Sequence, residues 1–214
     1  MDISDLREEY TRGTLTRGNL NKNPFQQFET WFHEAEQSQI LEPNAMSLAT
    51  VSDSGIPSIR TVLLKYFDEK GFVFFTNYAS TKAREMTQNP HVALSFLWAA
   101  LERQVHIKGS VKQISKTESF KYFSSRPRGS QLGAWVSHQS SIITGRSLLE
   151  TKLHEMKEKF KAGKIPLPSF WGGYRVVPDS IEFWQGQPNR LHDRLLFSRN
   201  SQQNNSWDIE RLSP

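Results

Sequence analysis

The chain has 214 residues, of which 36% are hydrophobic and 12% aromatic. This is enough apolar material for one packed domain and disfavours extensive disorder. No apolar segment approaches the roughly 20 residues of a membrane-spanning helix, and the polar, acidic N-terminus differs from a secretion signal. We therefore expect a cytoplasmic protein. The sequence lacks cysteine, which excludes disulfides, thiolate metal sites and cysteine nucleophiles, and no metal site is predicted.

The net charge of +5 is compatible with nucleic acid, a membrane surface or a small anion as the binding partner. The basic residues are scattered among aromatic and hydroxyl side chains, and no run of five or more occurs. This distribution favours a small anionic ligand over nucleic acid or a membrane. A basic nucleic-acid-binding module is the alternative, and its binding would weaken steeply with added salt.

The N-terminal residues 1–22 are polar and show little periodicity, and we predict a mobile arm there. A helix is predicted to follow, with Asn23 as its N-cap and Pro24 in its first turn. Phe25, Phe28 and Phe32 recur at helical spacing and form its expected buried face. Residues 23–214 are interpreted as a single domain.

The rest of the chain has the pattern of an antiparallel meander with added helices. Strands are predicted over residues 45–51, 56–67, 72–76, 91–98, 103–114, 171–183, 190–198 and 207–212. Helices are predicted over residues 81–88, with Ser80 as N-cap, over 116–124 and 145–161, and over a short stretch after Pro127. The expected apolar face of the helix over 145–161 consists of Leu148, Leu149, Leu153, Met156 and Phe160. This order predicts a mainly β, α+β fold, in the form of a barrel or curved sheet with peripheral helices.

An acid-free basic segment extends over residues 121–146. It contains four Lys or Arg residues and several serines but no Asp or Glu. Cations mixed with hydroxyl donors are typical of a phosphate site. The alternative interpretation is a solvated loop surface.

Two other places have cations where an anion could bind. Arg60 and Lys65 lie on an apolar predicted strand, so each needs a ligand or an acidic partner unless it points outward from an edge. Simple alternation puts them on opposite faces unless the strand bends or ends near Lys65. The segment 75–82 leads from a strand into a helix N-terminus, where a phosphate is favoured, although such junctions are common.

The stretch 183–194 is the most informative part of the chain. It combines Trp184, Arg190, His192, Asp193 and Arg194 around a Gly/Pro turn. Arginine offers a planar fork of donors and stacks on flat rings. The stretch therefore predicts binding of a phosphorylated or planar ligand.

Seven segments together resemble the pyridoxine/pyridoxamine 5′-phosphate oxidase family. They are residues 60–65, 125–131, 136–141, 168–173, 183–186, 190–194 and 211–214. The resemblance implies an FMN-binding split β-barrel that forms a homodimer with FMN at the subunit interface. It also implies an enzyme that oxidises pyridoxine 5′-phosphate and pyridoxamine 5′-phosphate with O2. The products would be pyridoxal 5′-phosphate and H2O2, with ammonia from the amine.

The resemblance also implies the site residues. Those for FMN are Arg60, Thr61, Val62, Leu63, Leu64, Lys65, Phe75, Thr76, Thr81, Lys82, Gln104, Gln139, Ser140, Trp184 and Arg194. Those for the substrate are Arg7, Tyr10, Lys65, Tyr122, Arg126, Ser130, Arg190, Leu191 and His192. Arg190 and His192 are the implied catalytic residues, facing the pyridine ring. Position 81 departs from the pattern, because some relatives carry Arg where this chain has Thr.

Two alternatives fit part of the same pattern. A split-barrel flavin reductase of other specificity would bind flavin without responding to vitamin B6 phosphates. A non-catalytic carrier or sensor of FMN or pyridoxal phosphate would bind its ligand without producing peroxide.

Overall fold

The chain forms nine strands and five helices within the residues described by the computed structural model, which are 1–5, 9–137, 139–200 and 206–214. Helices α1 to α5 span Pro24–Gln37, Thr81–Gln88, Lys116–Ser125, Arg128–Val136 and Arg146–Lys159. Strands β1 to β9 span Ala45–Val51, Pro57–Leu63, Tyr66–Asp68, Gly71–Asn77, His91–Trp98, Arg103–Gln113, Trp171–Gln185, Asp193–Arg199 and Trp207–Leu212. No helix in these ranges is both long and apolar enough to span a membrane.

The strands form one antiparallel sheet that branches at β7. Its order is β2-β1-β5-β6-β7-β4-β3, and β8 pairs with both β7 and β9. The first half of β7 pairs with β4 and its second half with β8, while β6 runs beside both halves. The two halves meet at a register shift after Lys108. A Cβ on Gly109 there would lie 2.1 Å from the Val177 carbonyl oxygen, so this close approach of the backbones requires glycine. The branching curls the sheet into a half-barrel and confirms the predicted split-barrel class.

Helix α1 packs its aromatic face against the main core. Asn23 caps it by accepting the N–H of Phe25, as the sequence predicts. Phe28 is fully buried and packs edge-on against Phe72 and Phe96, with ring centroids 5.0 Å apart in each pair. Burial of a side chain of this size contributes about 1.5–3 kcal/mol. Of the predicted buried face, Phe25 and Phe28 are buried in the main core and Phe32 is partly buried against it.

A smaller apolar cluster lies beneath α3 and α4. Its buried members are Phe123, Leu132, Ala134, Ile165 and Trp171. Helix α5 has no buried residue, and its predicted apolar face only partly covers this cluster. The cluster supports the helices that carry the acid-free segment.

Two predicted strands differ from the structure. The strand predicted over 56–67 is broken at Leu64 and Lys65. The Leu64 N–H bonds to the Asn44 carbonyl, whereas the Lys65 N–H bonds to the Val73 carbonyl. The backbone therefore changes partner at this point, from the hairpin with β1 to the neighbourhood of β4, which ends the strand.

The strand predicted over 190–198 begins only at Asp193. Asn189 and Arg190 have φ values of 56° and 61°, and they lie in a 3-10 turn. Positive φ is incompatible with a strand. Arg190, Leu191 and His192 are consequently presented from a turn.

Candidate functional site

A cleft of about 620 Å³ opens between β2, β4 and the helices α3 and α4. Eleven of the sequence-predicted site residues line it, namely Thr61, Val62, Leu63, Lys65, Phe75, Thr76, Lys82, Tyr122, Arg126, Ser130 and Gln139. Its described lining includes three cations and no Asp or Glu. A cleft of this composition is suited to an anionic ligand.

The first group of polar residues in the cleft surrounds Arg126. Burial lowers the pKa of Lys65, and the positive charge of Arg126 lowers it further against an opposing effect of Glu42, so the two cations lie close together. Burial raises the pKa of the Tyr122 phenol, which keeps it a hydrogen-bond donor. The Nη1 atom of Arg126 is buried and has no hydrogen-bond partner in the described chain. A buried cation left unpaired in this way is costly, and an incoming anion would satisfy it.

The second group lies where β4 leads into α2. Ser80 caps that helix, as predicted. Lys82 is only 8% exposed, and its Nζ lies 3.0 Å from Oε1 of Gln139 and 3.5 Å from Oγ1 of Thr76. Burial lowers the pKa of Lys82, the charge of Arg60 adds to this effect, and Glu85 opposes it. A cation beside a helix N-terminus is a favourable environment for a phosphate.

Arg60 has an acidic partner within the protein. Its Nη2 lies 3.2 Å from Oε2 of Glu85, which is 6% exposed and also accepts hydrogen bonds from Thr50 and Ser58. Burial raises the pKa of Glu85, but these hydrogen bonds and the charge of Arg60 outweigh it, so the pKa is lowered overall. Arg60 does not line the cleft. Its positive charge affects the cleft by lowering the pKa of Lys82, which does line it.

Four other predicted residues lie beside or behind the cleft. Ser140 Oγ accepts the Thr81 N–H at the start of α2. The Leu64 side chain is buried in the core, and its backbone groups are bonded to Asn44. Gln104 lines a separate depression, which Thr61 also lines.

The C-terminal residues form a second cluster around a tight turn. Tyr10 packs edge-on against both Trp184 and His192, with centroid distances of 5.7 and 5.6 Å. The backbone N–H of Gln187 donates to Nδ1 of His192 at 3.1 Å. A neutral His192 therefore carries its proton on Nε2, the nitrogen that can donate to a ligand.

The remaining C-terminal residues are exposed or paired within the chain. Arg190 and Leu191 are exposed. Arg194 donates to Glu182 at 2.7 Å and to the Ser213 carbonyl at 2.8 Å. Arg7, predicted to contact the substrate, lies outside the described residues.

The two clusters lie at opposite ends of β7. Phe75, in the cleft, is opposite Gly173, whereas Trp184 is eleven positions further along the same strand. Eleven residues of strand span at most about 36 Å, and less where the strand twists or bulges. In the described residues of one chain, Trp184, Arg190, His192 and Arg194 do not line the cleft.

Several residues that line the cleft have no role predicted from the sequence. Trp171 lines the cleft, together with Asn77 and Ser137. The segment 168–173 is part of the family resemblance, but nothing in its pattern identifies Trp171 as a lining residue. Conversely, Arg128 donates to backbone carbonyls and Arg146 forms an exposed ion pair. Of the cations in the acid-free segment that the structure describes, Arg126 is the one that lines the cleft.

Comparison with known proteins identifies the family. Residues 32–160 match the pyridoxamine 5′-phosphate oxidase family, and residues 171–214 match the C-terminal dimerisation region of pyridoxine 5′-phosphate oxidase. The chain belongs to the pyridoxamine 5′-phosphate oxidase family. Its β7, β8 and β9 make up most of the matched dimerisation region, which supports a homodimer.

Relatives in this family match the chain from end to end. The pyridoxine/pyridoxamine 5′-phosphate oxidase of Rippkaea orientalis is 66% identical and that of Crocosphaera subtropica 63%, each over 100% of both chains. Among solved structures, PhzG from Burkholderia lata, bound to tetrahydrophenazine-1-carboxylic acid, is 27% identical with a TM-score of 0.86. It covers 94% of this chain, and this chain covers 98% of it. The sequence resemblance and the predicted fold are thus confirmed.

Proposed function

We propose that this protein oxidises pyridoxine 5′-phosphate and pyridoxamine 5′-phosphate to pyridoxal 5′-phosphate, with FMN as cofactor and O2 as electron acceptor. The full-length relatives named for these substrates support the proposal. The structural observation that carries it is the unpartnered, buried Nη1 of Arg126 in an acid-free cleft. A substrate phosphate would supply the missing partner through charge-assisted hydrogen bonds.

The substrate phosphate is assigned to the group around Arg126. Lys65 and Arg126 contribute positive charge, and Tyr122 and Ser130 contribute hydroxyl donors from the same lining. The phosphate lies at the end of the substrate that does not react. Its binding energy can therefore hold the reacting C4′ carbon in place.

The donors around Lys82 fit the phosphate of FMN. Lys82, Thr76 and Gln139 already contact one another, and the N-terminus of α2 lies beside them. We assign the ring system of FMN to the edge formed by Thr61, Val62 and the neighbouring residues of β2. FMN, when bound, would supply the hydride acceptor and the subsequent reduction of O2 to H2O2.

A second copy of the chain completes the site in this proposal. Trp184, Arg190, His192 and Arg194 would come from its C-terminal turn, because the turn and the cleft of one chain are separated along β7. The match to a dimerisation region supports this arrangement. A homodimer would then contain two equivalent shared sites.

The turn residues would act on the pyridine ring. The guanidinium of Arg190 is planar and suited to stacking on it, and the Nε2–H of His192 can donate to a ring substituent. Loss of hydride from C4′ is assisted when the substrate's alcohol or amine proton is removed. Hydrolysis of the imine formed from the amine releases ammonia.

Arg7, Tyr10 and Leu191 are also assigned to the substrate in this proposal. The mobile arm and the cytoplasmic location stay predictions.

The proposal can be tested by mixing the FMN-loaded protein with pyridoxine 5′-phosphate in the absence of oxygen. We expect the visible flavin absorbance to bleach and then return on admission of air, with one H2O2 formed per pyridoxal 5′-phosphate. Retention of FMN without bleaching would contradict the proposed substrate. Failure to bind FMN would contradict the proposed cofactor.

A further inference from the structure

Arg126 lies against aromatic rings and lines the cleft. Its guanidinium carbon lies 4.7 Å from the ring centroid of Trp171 and 5.9 Å from that of Phe123. No described Asp or Glu forms an ion pair with it. Arg103 and Arg175 also lie over rings, those of Trp31 and Tyr66, but each of them has a carboxylate partner as well. The arginine–carboxylate pairs are Arg60 with Glu85, Arg103 with Glu34, Arg175 with Asp68, and Arg194 with Glu182.

Trp171 is itself fixed in place by a stack of rings. It is 8% exposed and lies nearly parallel to Phe75, at 5.2 Å and 15°, and to Tyr122, at 6.2 Å and 10°. Phe75 and Tyr122 also stack on each other at 4.0 Å. The backbone of Trp171 pairs with Asn77 of β4. The ring that faces the guanidinium is therefore rigid.

An aromatic partner and a carboxylate have different consequences for the charge of an arginine. A carboxylate holds the guanidinium through the same N–H fork that binds a phosphate, and it neutralises the charge. A ring attracts the cation through its quadrupole, leaving the charge and the in-plane donors free. Burial lowers the pKa of Arg126, with an opposing effect of Tyr122, but arginine stays charged at working pH.

We infer that Trp171 is a positioning residue for substrate phosphate, and that it orients Arg126 by a cation–π contact while leaving its positive charge uncompensated. The inference rests on the proposed function. It assigns Trp171 a role in the selectivity for phosphorylated over unphosphorylated substrates. The rings of Phe75 and Tyr122 act with Trp171 by keeping it in plane.

The test compares Trp171→Leu and Trp171→Phe in the FMN-loaded enzyme. Loss of the ring is expected to raise KM for pyridoxine 5′-phosphate by about tenfold, with kcat changed by less than about twofold. The inhibition constant of inorganic phosphate should rise by a similar factor. The kcat/KM for unphosphorylated pyridoxine should not change, because that substrate has no phosphate to bind. Trp171→Phe keeps a ring and should restore most of the phosphate selectivity.

Trp135→Leu is the matched control. Trp135 packs against the same apolar cluster, on Phe160 and Phe170, but the cation above its ring is Lys159. A purely structural role of Trp171 would make both Leu variants alike, with less active enzyme and therefore a lower apparent kcat at unchanged KM. Equal effects of the two Leu substitutions would overturn the inference. So would an inhibition constant of inorganic phosphate for Trp171→Leu equal to that of wild type.

Two further measurements keep the inference separate from the proposed function and from folding failure. Should the wild type oxidise no vitamin B6 phosphate, calorimetric binding of inorganic phosphate to wild type and Trp171→Leu would still test Trp171. Should Trp171→Leu fail to fold, Arg126→Lys keeps the charge but lacks the flat guanidinium. Its selectivity for phosphorylated substrate should fall, and unchanged selectivity would contradict the cation–π role.

Discussion

The carboxylate of Glu102 accepts a hydrogen bond from the backbone N–H of Thr11 at 2.8 Å, and a second one from Arg12 at 2.9 Å. Glu102 has a φ of 55°, a left-handed conformation that is uncommon for residues other than glycine. Its side chain thus anchors the segment before β6 to the N-terminal residues. Further along the N-terminal residues, the Leu15 N–H donates a hydrogen bond to the carboxylate of Asp193 at 3.0 Å.

Glu102→Gly should release this N-terminal segment without destabilising the fold. Glycine adopts positive φ at no steric cost, so relief of backbone strain offsets the loss of two hydrogen bonds. We expect faster limited proteolysis within residues 9–17 and a melting temperature close to that of wild type. Glu102→Gln, which retains an acceptor oxygen, is the control and should be cleaved at an intermediate rate. Unchanged protection in the Gly variant would contradict the anchoring role.

Arg190→Ala should reduce turnover while FMN stays bound. The residue is exposed on a turn and does not line the cleft of its own chain. Loss of a group that orients the substrate ring is expected to lower kcat by about 10- to 100-fold. Stopped-flow flavin reduction measures this effect, and FMN fluorescence checks retention. Arg146→Ala, at a site whose side chain is 90% exposed, should behave as wild type; full activity of Arg190→Ala would refute its role.

A heterodimer of two impaired variants should recover activity if each site is shared between chains. One chain would carry Arg126→Ala and the other Arg190→Ala, with different tags and purification through both. One of the two sites then combines an intact cleft with an intact turn, so about half of the wild-type activity per dimer is expected. If each site were built within one chain, both sites would contain a mutation. The heterodimer would then be no more active than its parents.

Thr81→Arg should tighten FMN binding. The Thr81 N–H lies at the start of α2, and Arg84 already donates to Thr81 Oγ1 at 3.2 Å. An added guanidinium beside the proposed FMN phosphate is expected to lower the dissociation constant by roughly tenfold. Quenching of FMN fluorescence on titration of the apoprotein measures this change. Thr81→Ser, which keeps only the hydroxyl, is the control, and a dissociation constant equal to it would place position 81 outside the phosphate site.

Glu85→Gln should lower stability in a pH-dependent way. Removing the counter-charge of Arg60 from a buried site is expected to reduce the free energy of unfolding by about 1–3 kcal/mol at pH 7. The folded-state pKa of Glu85 lies below its ordinary value of 4.5. The carboxylate therefore stabilises the fold above pH 4.5, and this contribution is lost as the pH falls through the folded value.

Urea unfolding at several pH values provides the measurement for Glu85→Gln. The difference from wild type should be largest above pH 5 and should narrow below 4.5. Glu36→Gln alters an exposed contact with His33 and should change stability little. A difference for Glu85→Gln that grows as the pH falls would contradict the direction of its pKa.

The sequence by itself determined most of the local structure and the family. Asn23 caps its helix in the structure as predicted, and Ser80 caps the helix predicted over 81–88, because capping depends on neighbouring side chains and backbone N–H groups. The strands 45–51 and 91–98 have the predicted bounds, because alternation of buried and exposed residues is a local signal. The separated motifs also sufficed to identify the family.

Only the tertiary structure decided which charges remain available to a ligand. Arg60 and Arg126 look alike in the sequence, yet one is paired with Glu85, 25 residues away in the chain, and the other lies against Trp171 with an unpartnered nitrogen. The break at Lys65 likewise depends on a change of strand partner from β1 to β4. Both outcomes depend on residues that are distant in sequence and adjacent in space, and no local pattern specifies such pairs.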